Sequence, residues 1–279
     1  MESAPSHNLP VRLPLWSEGP LPFAGPEDGE LPRLTLYRPS AEYRTGQTLL
    51  ILPGGGYQRV STEKEGHRPA MMLASRGHAA AVLEYRHSPA RHPVPLADAQ
   101  RAMKLLRSDA RTSGLDPEAI GVMGFSAGGH LAGLLATQPP VSLACAPDPV
   151  EAESGRPAFA ALIYPVVSFC EPFSHAGSRE ALLGPEAEGP LRAQLSLERA
   201  VSESTPPMFI AHGQADKGVP PENALSLYTA LCRVSVPADL HIYHGAGHGF
   251  GLGANHVWGR DLFEWLATLP KAKGNEAGG

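Results

Sequence analysis

Short apolar runs of strand length alternate with longer segments of helical periodicity from residue 34 to residue 269. The predicted strands cover residues 34–38, 47–52, 79–84, 120–123, 160–164, 208–212 and 240–243. The predicted helices lie around residues 70–74, 96–107, 130–136, 221–233 and 257–269. Apolar strands that alternate with helices are typical of a mainly parallel sheet covered on both faces. The pattern therefore predicts a three-layer α/β/α sandwich.

Three segments depart from this alternation within what we expect to be one domain of 279 residues. Residues 1–33 carry seven prolines, which disfavour helices and central strands, so we expect an extended arm docked through apolar residues such as Trp16. Residues 165–207 contain helical pieces broken by Gly-Pro pairs and predict a small lid insertion. Residues 271–279 predict a disordered tail.

Composition narrows the classes of partner and compartment. The net charge of -5 and the lack of a Lys/Arg cluster argue against a nucleic-acid or anionic-membrane partner and favour a small substrate. Three scattered cysteines suit a reducing compartment and have no metal-ligand spacing, so we expect neither metal nor cofactor. The first residues lack the pattern of a signal peptide or membrane span, which predicts a cytoplasmic location.

The most informative motif is the G-x-S-x-G sequence from Gly124 to Gly128. A predicted strand precedes it and a predicted helix follows it. A sharp turn between strand and helix holds a serine in a strained conformation with its hydroxyl exposed above the sheet. Ser126 is therefore the candidate nucleophile.

A candidate acid and a candidate base follow the serine, each in a loop after a predicted strand. Asp216 comes after the strand at 208–212, and His248 lies in a glycine-rich loop after the strand at 240–243. Ser126, Asp216 and His248 stand in the chain order expected when such a turn is present. A serine needs a base to take its proton, and a carboxylate fixes the tautomer of that base. These residues predict a catalytic triad.

Other residues could fill parts of these roles. Asp239 and Asp261 are alternative acids, although the first precedes its strand and the second lies in a helix. His244 is a rival base, and its spacing from His248 would suit zinc on a helix, but the glycines between and after them favour a loop. His212 fits a buried, hydrogen-bonded histidine better than a catalytic one.

Ester hydrolysis also needs donors for the oxyanion of the tetrahedral intermediate. Residues 53–56, Pro-Gly-Gly-Gly, follow the strand at 47–52, where esterases carry a glycine-rich oxyanion loop. The amide of Ala127, directly after the serine, is a further donor. A phosphate-binding nest is the alternative for the glycines, but no Lys-Ser/Thr follows and no G-x-G-x-x-G pattern is formed.

These motifs together resemble the α/β-hydrolase fold. The PGGGY loop, the GFSAGGHLA turn, the GSRE segment at 177–180 and the GHGFG ending are similar to those of bacterial esterases close to the hormone-sensitive-lipase-like group. Within that group the chain looks most like the acetyl-xylan and feruloyl-type carbohydrate esterases. The resemblance covers nearly the whole chain.

The resemblance implies a function and a set of site residues. Gly55, Gly56 and Ala127 would form the oxyanion hole, and Tyr57 would line the acyl pocket. The implied activity is hydrolysis of short acetyl esters through an acyl-enzyme, with acetylated xylo-oligosaccharides as expected substrates. A peptidase of the prolyl-oligopeptidase type and a hydrolase-fold binding protein without turnover are the alternatives.

Overall fold

The computed structural model describes residues 9–16, 21–24, 31–113, 115–143, 148–251 and 258–269. Within these residues the strands are β1 (Val11–Pro14), β2 (Arg33–Tyr37), β3 (Thr48–Leu52), β4 (Ala79–Glu84), β5 (Ile120–Phe125), β6 (Ala160–Ile163), β7 (Met208–Gly213) and β8 (Ala238–Tyr243). They form one sheet in the order β1-β2-β4-β3-β5-β6-β7-β8. Strands β3 to β8 all run parallel to one another, whereas β2 pairs antiparallel with both β1 and β4.

Helices cover both faces of this sheet. They are α1 (Arg68–Ser75), α2 (Val94–Ser113), α3 (Ala127–Thr137), α4 (Ala176–Leu183), α5 (Gly189–Gln194), α6 (Leu197–Ala200), α7 (Glu222–Arg233) and α8 (Trp258–Thr268), with a π-helical turn at Glu63–His67 and short 3₁₀ turns at Ala41–Tyr43 and Pro149–Ala152. Buried side chains of α1 and α8 pack on one face of the sheet, and those of α2, α3 and α7 pack on the other. The predicted α/β/α sandwich with a mainly parallel sheet is confirmed.

The central strand β3 shows why both faces need helices. Leu50 and Leu52 join the core beneath α2 and α3, while Leu49 and Ile51 join the core beneath α1 and α8. Successive side chains of a strand point to opposite faces, so a strand that is apolar throughout must be covered twice. Each fully buried side chain of this size stabilises the fold by roughly 1.5–3 kcal/mol.

The sequence pattern did not predict strand β1, which lies in the proline-rich arm. It occupies the edge of the sheet, where Pro14 removes no hydrogen bond that a central strand would need. Leu15 follows it into the core, and the indole N–H of Trp16 donates to Oδ1 of Asp98 at 2.9 Å. The described part of the arm is therefore paired and packed.

The segment at 165–207, between β6 and β7, holds α4, α5 and α6. Leu197 packs so closely on α3 that a Cβ at Gly133 would lie 2.2 Å from its Cδ1. The role of this segment as a lid stays a prediction. The predicted tail at 271–279 and Cys145 lie outside the described residues, as does much of the arm. No helix in the described ranges is long and apolar enough to cross a membrane.

A buried histidine joins three parts of the fold. His130 on α3 is fully buried, and its Nδ1 lies 2.9 Å from the hydroxyl of Tyr57. Its Nε2 lies 2.8 Å from the carbonyl oxygen of Leu195, to which it donates. Burial lowers the pKa of His130 to about 4, so the ring is neutral at pH 7.

We predict that the fold loses stability as the pH falls from about 6.5 to about 4. Over this range the unfolded chain protonates His130 and the folded chain does not, so protons favour unfolding. The expected loss from His130 is roughly 2 kcal/mol between pH 7 and pH 5. Burial also lowers the pKa of His78 to about 4, which adds to the effect.

Urea unfolding of the wild type and of His130→Asn at pH 7 and at pH 5 measures how the free energy of unfolding depends on pH. The variant is expected to be less stable at pH 7 but to lose less stability on acidification. His244→Asn, which changes an exposed histidine, should keep the wild-type dependence. An identical pH dependence in wild type and His130→Asn would contradict the assignment.

Candidate active site

Ser126 lies at the turn between β5 and α3 in a conformation that side chains rarely adopt. Its backbone angles are φ 53° and ψ -118°. The amide of Ser126 donates to the carbonyl of Ile163 at 3.0 Å, which ties the turn to the neighbouring strand β6. Such strain persists only where the surrounding structure holds it.

The two glycines of the motif allow backbone segments to meet at this turn. A Cβ on Gly124 would lie 2.1 Å from the carbonyl oxygen of Gly128, and one on Gly128 would lie 2.1 Å from the carbonyl oxygen of Leu52. Side chains at either position would push α3 away from β3 and β5. The glycines are therefore required by close approach of the backbone.

The structure brings the three predicted triad residues together. Oγ of Ser126 lies 2.9 Å from Nε2 of His248, and Nδ1 of His248 lies 2.7 Å from Oδ2 of Asp216. Because the carboxylate accepts the proton of Nδ1, Nε2 is left as an acceptor for the serine hydroxyl. The geometry allows His248 to remove the proton of Ser126.

The carboxylate of Asp216 is buried and saturated with donors. Its Oδ1 accepts from the amides of Gly218 at 2.9 Å and Val219 at 2.8 Å, and Nε2 of His212 lies 3.4 Å from Oδ2. Burial raises the pKa of Asp216, but hydrogen bonds from His212, His248 and Val219 outweigh it and hold the pKa well below its usual range. The acid is therefore ionised whenever the protein is folded near neutral pH.

The alternative acids and bases do not contact Ser126 in the part of the chain that the structure describes. Nδ1 of the exposed His244 lies 2.9 Å from Oε1 of Gln214. His212 is fully buried, and the single proton on its Nε2 is shared between the carbonyl of Val219 at 2.8 Å and the more distant carboxylate of Asp216 at 3.4 Å. Asp261 accepts from the hydroxyl of Tyr243 at 2.7 Å. Within the described ranges, no group of three or more His, Cys, Asp or Glu side chains could hold a metal ion.

The glycine-rich loop after β3 borders the same cleft as Ser126. Gly55 and Gly56 have φ angles of +135° and +68°, which favour glycine. Their amides have no hydrogen-bond acceptor among the described residues. Ala127 is the first residue of α3, and first-turn amides have no partner within their own helix. The arrangement offers free backbone donors beside the serine.

Tyr57 does not lie where the resemblance implied. Its side chain is fully buried, with the hydroxyl 2.9 Å from Nδ1 of His130, and it does not line the cleft. Its backbone has φ 58°, which turns the side chain into the core behind the loop. The prediction that Tyr57 lines the acyl pocket is corrected: the residue anchors the loop from beneath.

Two residues that the sequence pattern did not single out support the site. Oε2 of Glu65 accepts from the amide of Gly54 at 2.9 Å, and Oε1 accepts from the hydroxyl of Tyr164 at 2.9 Å. The ring of Tyr164 packs edge-on against that of His248, with centroids 5.2 Å apart. Glu65 thus links the glycine loop to the residue that contacts the base.

The cleft above Ser126 is small and polar. It has a volume of about 280 Å³ and is lined by Gly55, Gly56, Gln58, Arg59, Ser61, Glu65, Ser126, His175 and His248. The amide of Ser178 donates to Nδ1 of His175 at 3.1 Å, which leaves the proton of a neutral ring on Nε2. Burial, together with the nearby His248, lowers the pKa of His175, which favours the neutral ring.

Known proteins are similar to this chain in fold and in sequence. The BD-FAE family model matches residues 34–231. An acetylxylan esterase of Xylanibacter ruminicola is 32% identical over 240 residues, which are 83% of this chain and 48% of that protein. Endo-1,4-β-xylanase B of Butyrivibrio fibrisolvens is 33% identical over 79% of this chain and 35% of its own length. This chain therefore spans about half or less of these two relatives.

A solved structure matches over most of both chains. The acetyl ester-xyloside bifunctional hydrolase from Caldicellulosiruptor lactoaceticus is 37% identical and superposes with a TM-score of 0.86, covering 92% of this chain and 95% of its own. The strand order and the turn at Ser126 define the α/β-hydrolase fold. Within that class, the chain belongs to the BD-FAE family.

We predict that Gly128→Ala destabilises the protein by at least ~2 kcal/mol, because the added Cβ overlaps the carbonyl of Leu52. Gly189→Ala is the matched control: that glycine begins α5 and a Cβ there has open space within 4 Å. The control should change stability by less than ~1 kcal/mol. Urea unfolding measures both, and equal stabilities of the two variants would contradict the packing argument.

Proposed function

We propose that this protein is a serine carboxylesterase that hydrolyses short-chain acetyl esters of carbohydrates, such as acetylated xylo-oligosaccharides. The observation that carries the proposal is the continuous chain of hydrogen bonds from Ser126 through His248 to the buried Asp216. Similarity to an acetylxylan esterase and to an acetyl ester-xyloside bifunctional hydrolase supports acetylated carbohydrates as the substrate class.

The proposed reaction has two halves. His248 Nε2 takes the proton of Ser126 as Oγ attacks the carbonyl carbon of the ester, and the amides of Gly55, Gly56 and Ala127 hold the oxyanion. The intermediate collapses to an acetyl-enzyme while His248 gives the proton to the departing alcohol. Water, deprotonated by His248, then attacks the acyl carbon, and acetate leaves as Oγ regains its proton.

The shape of the cleft supports a short acyl group. Its volume of about 280 Å³ lies just below the range of about 300–1,000 Å³ usual for ligand pockets. The side chains of Gln58, Ser61 and His175 give it a polar lining, which suits hydroxyl groups on the alcohol side better than a long acyl chain.

We predict that Ser126→Ala lowers kcat/KM for p-nitrophenyl acetate and for acetylated xylo-oligosaccharides by ~10³-fold or more, because the nucleophile is lost. Spectrophotometry follows the first substrate, and release of acetate follows the second. Ser75→Ala, which changes an exposed serine on α1, should retain full activity.

The circular dichroism spectrum of Ser126→Ala must match that of the wild type for the comparison to hold. A fluorophosphonate probe should label the wild type at Ser126 and leave the variant unlabelled. Near wild-type turnover by Ser126→Ala would overturn the proposed function, as would hydrolysis of proline-containing p-nitroanilides faster than of acetyl esters.

We predict that Glu65→Ala lowers kcat by ~10-fold or more, because the amide of Gly54 and the hydroxyl of Tyr164 both lose their acceptor and the glycine loop is freed. The kcat of Glu65→Gln should lie between those of the wild type and Glu65→Ala, since the glutamine amide can accept from Gly54 and donate to Tyr164. Glu63→Ala is the control, because Glu63 lies on the same helical turn and its side chain pairs, among the described residues, with the exposed Arg68 alone. Wild-type kcat in Glu65→Ala would refute this positioning role.

A further inference from the structure

A second cavity lies beside the cleft that holds Ser126. It has a volume of about 440 Å³, within the range of about 300–1,000 Å³ usual for ligand sites. Its polar side chains come from Arg59, Thr62, Glu84, Arg86, His87 and Ser88. Arg59 lines both cavities, so they meet at this residue.

The fold explains why the two cavities are neighbours. Glu84 is the last residue of β4, and Ser126 follows the last residue of β5. Strands β4 and β5 both run parallel to β3, which lies between them in the sheet. Their carboxyl ends therefore open on the same edge of the sheet, where ligands of α/β proteins bind.

Two charged side chains face the second cavity without partners. The carboxylate of Glu84 is half-buried and has neither a hydrogen bond nor an ion pair with any described residue, although Arg33 stands opposite it on β2. The guanidinium of Arg59 likewise has no partner in the described ranges, and it does not reach Glu84. By contrast, Arg86 in the same cavity is bonded to Asp98 at 2.7 Å.

The chemistry of these groups indicates the kind of ligand. A carboxylate accepts hydrogen bonds from two hydroxyls, and a guanidinium donates several in one plane. One negative and one positive group on the same cavity give no net preference for a charged ligand. Hydroxyl and imidazole groups of Thr62, Ser88 and His87 add further donors and acceptors. A neutral ligand that carries several hydroxyls matches this set.

We propose that the second cavity is a binding site for a neutral sugar residue on the alcohol side of the ester, with Glu84 and Arg59 as its specificity-determining residues. This inference rests on the proposed function, because it assumes that an acetylated sugar is attacked at Ser126. The acetyl group then occupies the cleft above the serine, and the next sugar of the chain reaches past Arg59 into the second cavity.

The site is tested by the ratio of kcat/KM for acetylated xylotriose to kcat/KM for p-nitrophenyl acetate, whose small aryl group has no sugar to place there. We expect Glu84→Ala and Arg59→Ala each to lower this ratio at least ~10-fold, since each removes charged hydrogen bonds to the sugar. Glu63→Ala and Arg68→Ala, which change an exposed ion pair outside both cavities, are the matched controls. Ratios equal to those of the controls would overturn the inference.

Binding without turnover separates this inference from the proposed function. In the Ser126→Ala background, calorimetric titration with unacetylated xylotriose should give a Kd at least ~10-fold weaker when Glu84 is also replaced by alanine. An unchanged Kd would overturn the sugar site even if the esterase is active. Absence of acetyl ester hydrolysis by the wild type would instead overturn the proposed function. Tighter binding of a uronate-bearing trisaccharide than of xylotriose by Ser126→Ala with Glu84 intact would reject a neutral ligand.

Discussion

The site depends on one close approach, that of the start of α3 to the ends of β3 and β5. The two glycines of the turn let backbone atoms meet where side chains would collide, and the strained φ of Ser126 follows from that contact. Strain of this kind costs of order 1–3 kcal/mol and must be held by surrounding structure. In this fold the strained turn at Ser126 is held by the apolar layers that pack on both faces of β3 and β5. The rigidity of the core is thus what presents the serine hydroxyl.

A second constraint concerns the buried charge of Asp216. An ionised carboxylate in the interior is costly unless donors surround it. Two amides of the loop after β7, the ring of His248 and the nearby His212 supply them. Because each donor has a fixed direction, the carboxylate can turn only one oxygen toward His248. The hydrogen bonds that offset the cost of burying the Asp216 carboxylate therefore also orient the ring of His248.

The sequence predicted the features that arise from local pattern and chain order, and missed those that arise from distant contacts. Periodicity identified the parallel strands, and loops after strands identified Ser126, Asp216 and His248. The sequence did not predict the role of Glu65, because its hydrogen-bond partners, Gly54 and Tyr164, lie 11 and 99 residues away. Tyr57 was placed wrongly because its direction depends on a positive φ and on His130, neither of which the motif reveals. Strand β1 was missed because it contains Pro14, which is tolerated only in an edge strand.

The backbone of the glycine loop connects the proposed sugar-binding residue Arg59 to the proposed oxyanion donors. The amide of Arg59 donates to the carbonyl of Gly55 at 3.3 Å, and a Cβ on Gly55 would lie 2.2 Å from the carbonyl oxygen of Arg59. A turn closed this tightly cannot shift at Arg59 without shifting at Gly55. The loop is also fixed from outside by Glu65 and from beneath by Tyr57. A ligand that engages the guanidinium therefore acts on the same rigid turn that carries the proposed oxyanion donors, so alcohol-side contacts can alter kcat as well as KM.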